Sequence, residues 1–353
     1  VDEPAARVDA VSRDRLMRAA VVSAANDAVV TLTVRFDSQQ AANLTVAQGN
    51  GAWLLGTGGA AKILRSVDDG VTWTKVLAPD VDQVNALSMF DSQAIAIGSV
   101  NGGASQIYLS EDSGITWTQT YAHPSGGSFL CSGISEAPVC LGDSHGDIYR
   151  SEDGRAPWTQ VFTSPANRIT AIAANYNEGS WCAGSGYSGQ IFRSTDDGIS
   201  WIEVHDSSPQ SIEAMTSDLN GTWCAGGSNG TLLRSADDGL TWTTALSVGG
   251  PPVRSVGTQE GNTWCALIGT DVYRSVDGGA SWSHVSAIPV PANGVATDGQ
   301  QWIAVGESGV YRSVDVGLDW SAGTHFWRLY LGANKHFVVD RWKMRLTAGL
   351  GMD

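Results

Sequence analysis

No run of eighteen apolar residues occurs anywhere in the 353-residue chain, so no segment reads as a membrane-spanning helix. The opening residues, VDEPAARVDAVSRDRL, have no apolar stretch of the secretory-leader type. Basic residues are few: 21 Lys and Arg stand against 36 Asp and Glu, a formal net charge of −15. A nucleic-acid groove needs clustered Lys and Arg to displace counterions from phosphates, so a DNA or RNA partner is not expected. Charged residues make up only 16% of the chain, too few for long amphipathic helices with solvated faces. The six His are scattered without paired spacing, and no P-loop, dinucleotide fingerprint or Gly-x-Ser-x-Gly elbow appears. Neither a metal nor a cofactor is expected.

Cysteine is also scarce and odd in number, at five, so the thiols cannot all pair within the chain. Cys182, Cys224 and Cys265 each follow a Trp in a repeated WCA, about 41 residues apart. Equivalent positions in successive sheets are not bonding neighbours, and these three read as buried free thiols acting as small apolar fillers. Cys131 and Cys140 could face each other across a hairpin, and a disulfide there stays open.

What the chain has in abundance is glycine, 42 residues, and tryptophan, 14. That is the composition of many turns joining aromatic-rich strands, an all-β protein. The octet SVDDGVTW at 66–73 returns as SEDSGITW (110–117), SEDGRAPW (151–158), STDDGISW (194–201), SADDGLTW (235–242), SVDGGASW (275–282) and SVDVGLDW (313–320). Successive octet Trp residues are 44, 41, 43, 41, 40 and 38 positions apart. A period near 41 fits four short strands and their turns, one blade of a β-propeller. Between Trp201 and Trp242 the segments WIEV, SIEAMTSD, TWCAGGS and TLLRSAD read as strands, which puts the octet on the turn between the third and fourth strands of a blade.

The octet residues then have structural work. In the first copy the Ser66 hydroxyl and Asp68 carboxylate can accept hydrogen bonds from amides of their own turn, Gly70 supplies a positive φ, and Trp73 buries its ring beneath. The same roles fall to Asp112 and Trp117, Asp153 and Trp158, Asp196 and Trp201, Asp237 and Trp242, Asp277 and Trp282, and Asp315 and Trp320. Only SEDGRAPW departs, with Gly154 one place early and Arg155 where Gly belongs, and its turn should be distorted. The octet lacks the later ligands and bidentate Glu of a calcium loop.

The pattern S-x-D-x-G-x-x-W at this spacing resembles the Asp-box, or BNR, repeat of sialidases, family 74 glycoside hydrolases, sortilin-type receptors and photosystem II assembly factors. The resemblance covers residues 43 to 321 and implies a propeller, while its function varies between enzymes and binding modules. A sialidase-like chain would need three arginines at the axis and an Arg-Ile-Pro sequence, which is absent. Arg65, Arg150, Arg193, Arg234, Arg274 and Arg312 each precede an octet Ser, so they recur with the repeat and lie off the axis. A family 74-like enzyme needs two carboxylates across a cleft; Asp80, Asp82 and Glu213 are the acidic residues near loops entering inner strands.

Seven octets leave strands unspent at both ends. FWRLYLG, KHFVVDR and KMRLTAG follow the last octet, and VVTLTVRF at 29–36 precedes the first repeat. Residues 29–353 divide into about 41 positions for each of eight blades. The expected architecture is therefore one propeller over 29–353 of eight four-stranded blades, the eighth closed by N- and C-terminal strands, with a helix or arm over 1–28. The alternative is seven blades with a terminal appendage.

Twelve Trp recur with the repeat: seven in octets and Trp53, Trp181, Trp223, Trp264 and Trp302 at the start of a second strand, so no aromatic sugar platform is needed to explain them. What varies between repeats is the set of loops on the face opposite the octets, SVNGGASQ, AHPSGG, GDSHGD, GSGYSGQ, GGSNGT and VGGPPV. Recognition is expected there. The candidate binding residues are Asn101, His123, His145, Tyr187 and Asn229, with Arg168 and Arg254 at the starts of inner strands reaching the channel mouth. The sequence thus points to a non-enzymatic structural or interaction module with protein partners, of the kind that resembles assembly factors or phage-particle BNR proteins. A carbohydrate-binding or glycoside-hydrolase-like propeller acting on glycans is the alternative.

Overall fold

The computed structural model describes residues 45–322 apart from 59–60, 78–80, 101–104, 124–126, 136–137, 166–167, 176, 208–209, 260–261, 289–290, 307–308 and 316, together with 6–8, 19–21, 328–330, 336–339 and 344–345. Seven four-stranded antiparallel sheets follow one another from blade one (inner strand Thr45–Gly49, outer strand Thr74–Leu77) to blade seven (inner strand Ala292–Thr297, outer strand Ser321–Ala322). Each sheet is a simple meander, so blade four runs Ile169–Asn175, Ser180–Ser185, Gln190–Ser194, Ile202–Asp206 from axis to rim.

Seven blades, not eight, close the ring. The inner strand of blade seven packs directly on the inner strand of blade one. Ile303, Val305 and Val310 of blade seven share an apolar cluster with Val46, Trp53 and Leu55 of blade one. Division of 325 positions by 41 overcounts the blades because, among the described residues, the C-terminal strands pair with one another: Arg328–Tyr330, His336–Val339 and Met344–Arg345 form a separate three-stranded sheet. The expected strand at 29–36 lies outside the described residues. Within 1–28, where a helix or arm is expected, the described residues are two short antiparallel strands, Ala6–Val8 and Ala19–Val21.

Burial follows the pleat. Second strands are buried on both faces, as AWLLG, SWCAGS and WCAGG are at every position, because each is covered by the blades before and after it. Their leading Trp residues, Trp53, Trp181, Trp223, Trp264 and Trp302, are among the largest fully buried side chains. Each ring removes roughly 200 Å² from water, worth about 5 kcal/mol as an upper figure. Outer strands bury little, and their first two residues are exposed in blades two to six.

The octets form the turns that the sequence predicts. In SVDDGVTW the Gly70 amide donates to Ser66 Oγ (2.9 Å) and the Thr72 amide to Asp68 Oδ1 (2.8 Å). The Thr72 hydroxyl donates to Asp68 Oδ2 (2.6 Å), and the Trp73 indole to the Gly70 carbonyl (3.0 Å). The Ser, Asp and Trp bonds recur around Asp112, Asp196, Asp237, Asp277 and Asp315. Burial works to raise the Asp112 carboxyl, but bonds from Thr116, Ser110 and Ile115 outweigh it and hold it down at about 2. The Ser281 hydroxyl and amide, with Ser275, hold Asp277 at about 2 as well. The variant octet is distorted as expected: Ser151 Oγ donates to the Arg155 carbonyl, and Trp158 Nε1 is buried without a partner.

Two devices lock each blade to the next. First, the octet Gly sits on a second-strand side chain of the preceding blade. A Cβ on Gly198, Gly239, Gly279 or Gly317 would come within 2.5–2.7 Å of the Sγ of Cys140, Cys182, Cys224 or Cys265. At the seam of blades seven and one, Gly70 meets Ile303 Cδ1 at 2.6 Å in the same way. This explains the thiols, which are free and buried, with burial pushing Cys265 to about 12 and Cys140, Cys182 and Cys224 up as well. Cys140 belongs to this series and faces Gly133 across its hairpin, not Cys131, so the possible disulfide is not formed.

Second, the Arg before an octet Ser reaches across to the next blade's octet. Arg65 Nε donates to the Ser113 carbonyl (2.7 Å), and Arg150, Arg193 and Arg234 donate to those of Asp197, Asp238 and Gly278 (2.6 Å each). Two seams differ. Blade two has Leu109 at this position, and Arg312 of blade seven bonds its own blade's Gln301 while its Nε is buried without a partner.

Candidate functional site at the channel mouth

Strand direction sorts the loops between the two faces. Inner strands start on one face; second strands return to it; third strands leave it for the octets; outer strands come back. The turns between second and third strands and the links to the next blade therefore gather opposite the octets, where every candidate residue in the described chain lies.

At the centre is a cavity of about 200 Å³ lined by the inner strands of all seven blades. The second inner-strand residues of blades three to seven line it, Leu130, Thr170, Glu213, Arg254 and Asn293, with Asn85, third in blade two's inner strand, and Thr45 from blade one. Deeper residues are mostly apolar, including Leu87, Ile172, Met215 and Val256. Among the described residues the lining carries one carboxylate, Glu213, and one guanidinium, Arg254, which is exposed. Glu213 also accepts from the Ser211 hydroxyl. Asp82, another acidic candidate, is not in the lining, and Asp80 lies outside the described residues.

Beside the mouth, blade four presents Arg168 and Tyr187 as a pair. Arg168 Nη1 donates to the Tyr187 hydroxyl (3.1 Å), and the guanidinium carbon lies 5.2 Å from the ring centroid. Tyr187 is 70% exposed and holds φ at 74°, a left-handed conformation that an aromatic residue adopts at a cost of roughly 1–2 kcal/mol. Arg168 Nε is buried with no hydrogen-bond partner. An exposed aromatic held in a strained turn by an arginine is the kind of feature that marks a ligand clamp.

The remaining candidates separate. Asn101 lies outside the described residues. Asn229 accepts from the Thr231 hydroxyl (2.7 Å) inside its own turn. His123 is buried, its ring centroid 4.5 Å from that of Phe129 in a tilted contact and 5.5 Å from that of Tyr149 edge-on, so it is not a surface contact as the loop position suggested. The fold instead brings it to His145 through Asp143. Asp143 Oδ2 lies 3.1 Å from His123 Nε2 and 3.3 Å from His145 Nδ1, while Oδ1 accepts the amides of His145 (2.9 Å) and Asp147 (2.8 Å). Asp143, within the variable loop GDSHGD, has no signal in the sequence beyond being a carboxylate that ends a second strand, two residues before His145.

No protein-family model matches the chain, and no curated protein matches it. Solved structures do. The chain is 18% identical to a structure of YCF48 bound to D1 peptide, with a TM-score of 0.62 over 78% of this chain and 93% of that one. It is 19% identical to YCF48 from Cyanidioschyzon merolae, with a TM-score of 0.57 over 75% and 93%. A third likeness, 11% identical with a TM-score of 0.60, is the extracellular domain of a putative one-component system from B. thetaiotaomicron, covering 78% of this chain and 39% of that one. At such identities the likeness is one of fold: this chain is a seven-bladed β-propeller resembling YCF48 and other propellers.

Proposed function

We propose that the protein is a non-enzymatic interaction module that holds a polypeptide partner on the mouth face, as part of a larger assembly. The observation that carries this reading is the composition of the central cavity, one carboxylate and one guanidinium among otherwise neutral polar and apolar residues. Glycoside hydrolysis canonically uses two carboxylates flanking the bond, and Glu213 is the one carboxylate among the described lining residues. A polar ring with the Arg168–Tyr187 pair beside it suits the carbonyls, carboxylates and side chains of a peptide. Tyr and Arg, with Trp, are enriched among interface anchors. The YCF48 structure bound to a peptide gives the reading a precedent in a similar fold.

The test is binding to a displayed peptide array, with Arg254→Ala and Tyr187→Ala variants compared with the parent chain. Peptide binding that falls about thirtyfold or more in each variant supports the reading, since an interface anchor removed by Ala costs about 2 kcal/mol or more. Fluorogenic sialoside and β-glucan substrates are assayed in parallel. Turnover that disappears in Glu213→Gln would replace the reading with glycan chemistry.

A further inference from the structure

We propose that His123, Asp143 and His145 bind one transition-metal ion of the zinc class at the seam of blades two and three. Two imidazole nitrogens and a carboxylate oxygen are a donor set that zinc takes, with water in the fourth place. Ligand atoms of a tetrahedral zinc lie about 3.3 Å apart for bonds near 2.05 Å. The two contacts to Asp143 Oδ2, 3.1 and 3.3 Å, already have that spacing, and all three donor atoms lie within 4.8 Å of one another. Closing the remaining gap between the imidazoles falls to His145, whose side chain is 59% exposed while that of His123 is buried.

The surroundings are those of a prepared site. His123 and Asp143 have side chains wholly removed from solvent. Two backbone amides fix Asp143 through Oδ1, which aims Oδ2 at both rings. Such outer bonds orient metal-ligating carboxylates. His145, exposed beside two buried partners, puts the cluster at the protein surface, where an ion can reach it.

Without an ion the cluster is held by protons. The Gly127 amide donates to His123 Nδ1 (3.2 Å), so His123 carries its proton on Nε2 and donates it to Asp143. Ligation moves that proton to Nδ1 and the His145 proton to Nε2, so none need leave the site. The Gly127 amide must then turn away from Nδ1, a local cost against which the ion's affinity is measured.

The ion would act as a staple. His123 follows the outer strand of blade two, Thr118–Ala122, and Asp143 and His145 frame the turn between second and third strands of blade three. This is the seam where Leu109 replaces the latching Arg. On the octet face Thr120 Oγ1 and Gln93 Nε2 bridge it instead, to the Gly154 and Asp153 carbonyls (3.1 Å each). The cluster is its counterpart on the mouth face.

The experiment titrates the intact chain with zinc chloride alone by calorimetry at neutral pH, and with cobalt chloride by visible absorption. The expected result is one ion per chain, a raised thermal midpoint and the intense visible band of tetrahedral cobalt. His145→Ala, a change at an exposed side chain that leaves the fold intact, should weaken binding at least about tenfold and abolish the cobalt band. His284→Ala, removing the exposed pair with Asp271, should change neither. No saturable binding up to about 1 mM metal, far weaker than structural zinc sites, overturns the proposal. So does binding that His145→Ala leaves unchanged.

Discussion

Replacing Gly279 by Ala should destabilise the ring by about 2–5 kcal/mol, and the two parts of that cost can be separated. Gly279 has φ of 76°, which a Cβ penalises by roughly 1–2 kcal/mol. The new methyl would also lie 2.7 Å from Cys224 Sγ, inside van der Waals contact, and overpacking adds about 1–3 kcal/mol. Gly299 is the control: its φ is 90°, and nothing lies within 4 Å of where its Cβ would go. Gly299→Ala should therefore pay only the backbone cost. Cys224→Ala combined with Gly279→Ala should recover the steric part, a favourable coupling of about 1 kcal/mol or more in a double-mutant cycle. The readout is equilibrium urea unfolding followed by tryptophan fluorescence, supported by thermal midpoints. If Gly279→Ala costs no more than Gly299→Ala, or if the cycle shows no coupling, the packing of octet glycine on the preceding blade's thiol is not what locks the seam.

Arg234→Ala removes the charged hydrogen bond to the Gly278 carbonyl and should cost about 1.5–3 kcal/mol in the same unfolding assay, while Arg312→Ala, whose Nε bonds nothing, should cost less. The five thiols should resist a disulfide reagent in the folded chain and all react after denaturation, because burial raises their pKa and thiolate is the attacking form; fast labelling of the native chain would contradict the packing described. Asp112 and Asp277 sit at about 2 when folded against an ordinary 3.8, so their stabilisation is complete above about pH 5 and is lost as pH falls through the folded value. Acid unfolding should begin below pH ~4, and Asp277→Asn should make the transition shallower.

The octet turns were legible because their chemistry is local. Ser66, Asp68, Gly70 and Trp73 bond within eight residues of one another, so spacing alone predicts their partners. The locks were half legible. Six arginines recur visibly, but four of them, Arg65, Arg150, Arg193 and Arg234, reach a carbonyl 44 to 48 residues onward, and a backbone acceptor has no signature. Cys140 escaped its series because Val139 stands where the others have Trp. The blade count failed for a related reason: the C-terminal strands have blade-like sequences, and only inter-blade packing decides whether such strands join the ring. The face of the candidate site followed from strand direction, yet its grouping did not. His123 and Asp143 are 20 residues apart on different blades, and their meeting depends on register that no periodicity encodes.

Seven-blade closure is the central claim, and a chain trimmed to residues 43–322 tests it most directly. If blade seven packs on blade one, the trimmed chain should unfold in one cooperative thermal transition and keep the near-UV circular dichroism of its buried tryptophans. Loss of that signal, with exposed tryptophan and no transition, would mean that strands beyond Ala322 or before Thr45 are needed to complete the ring.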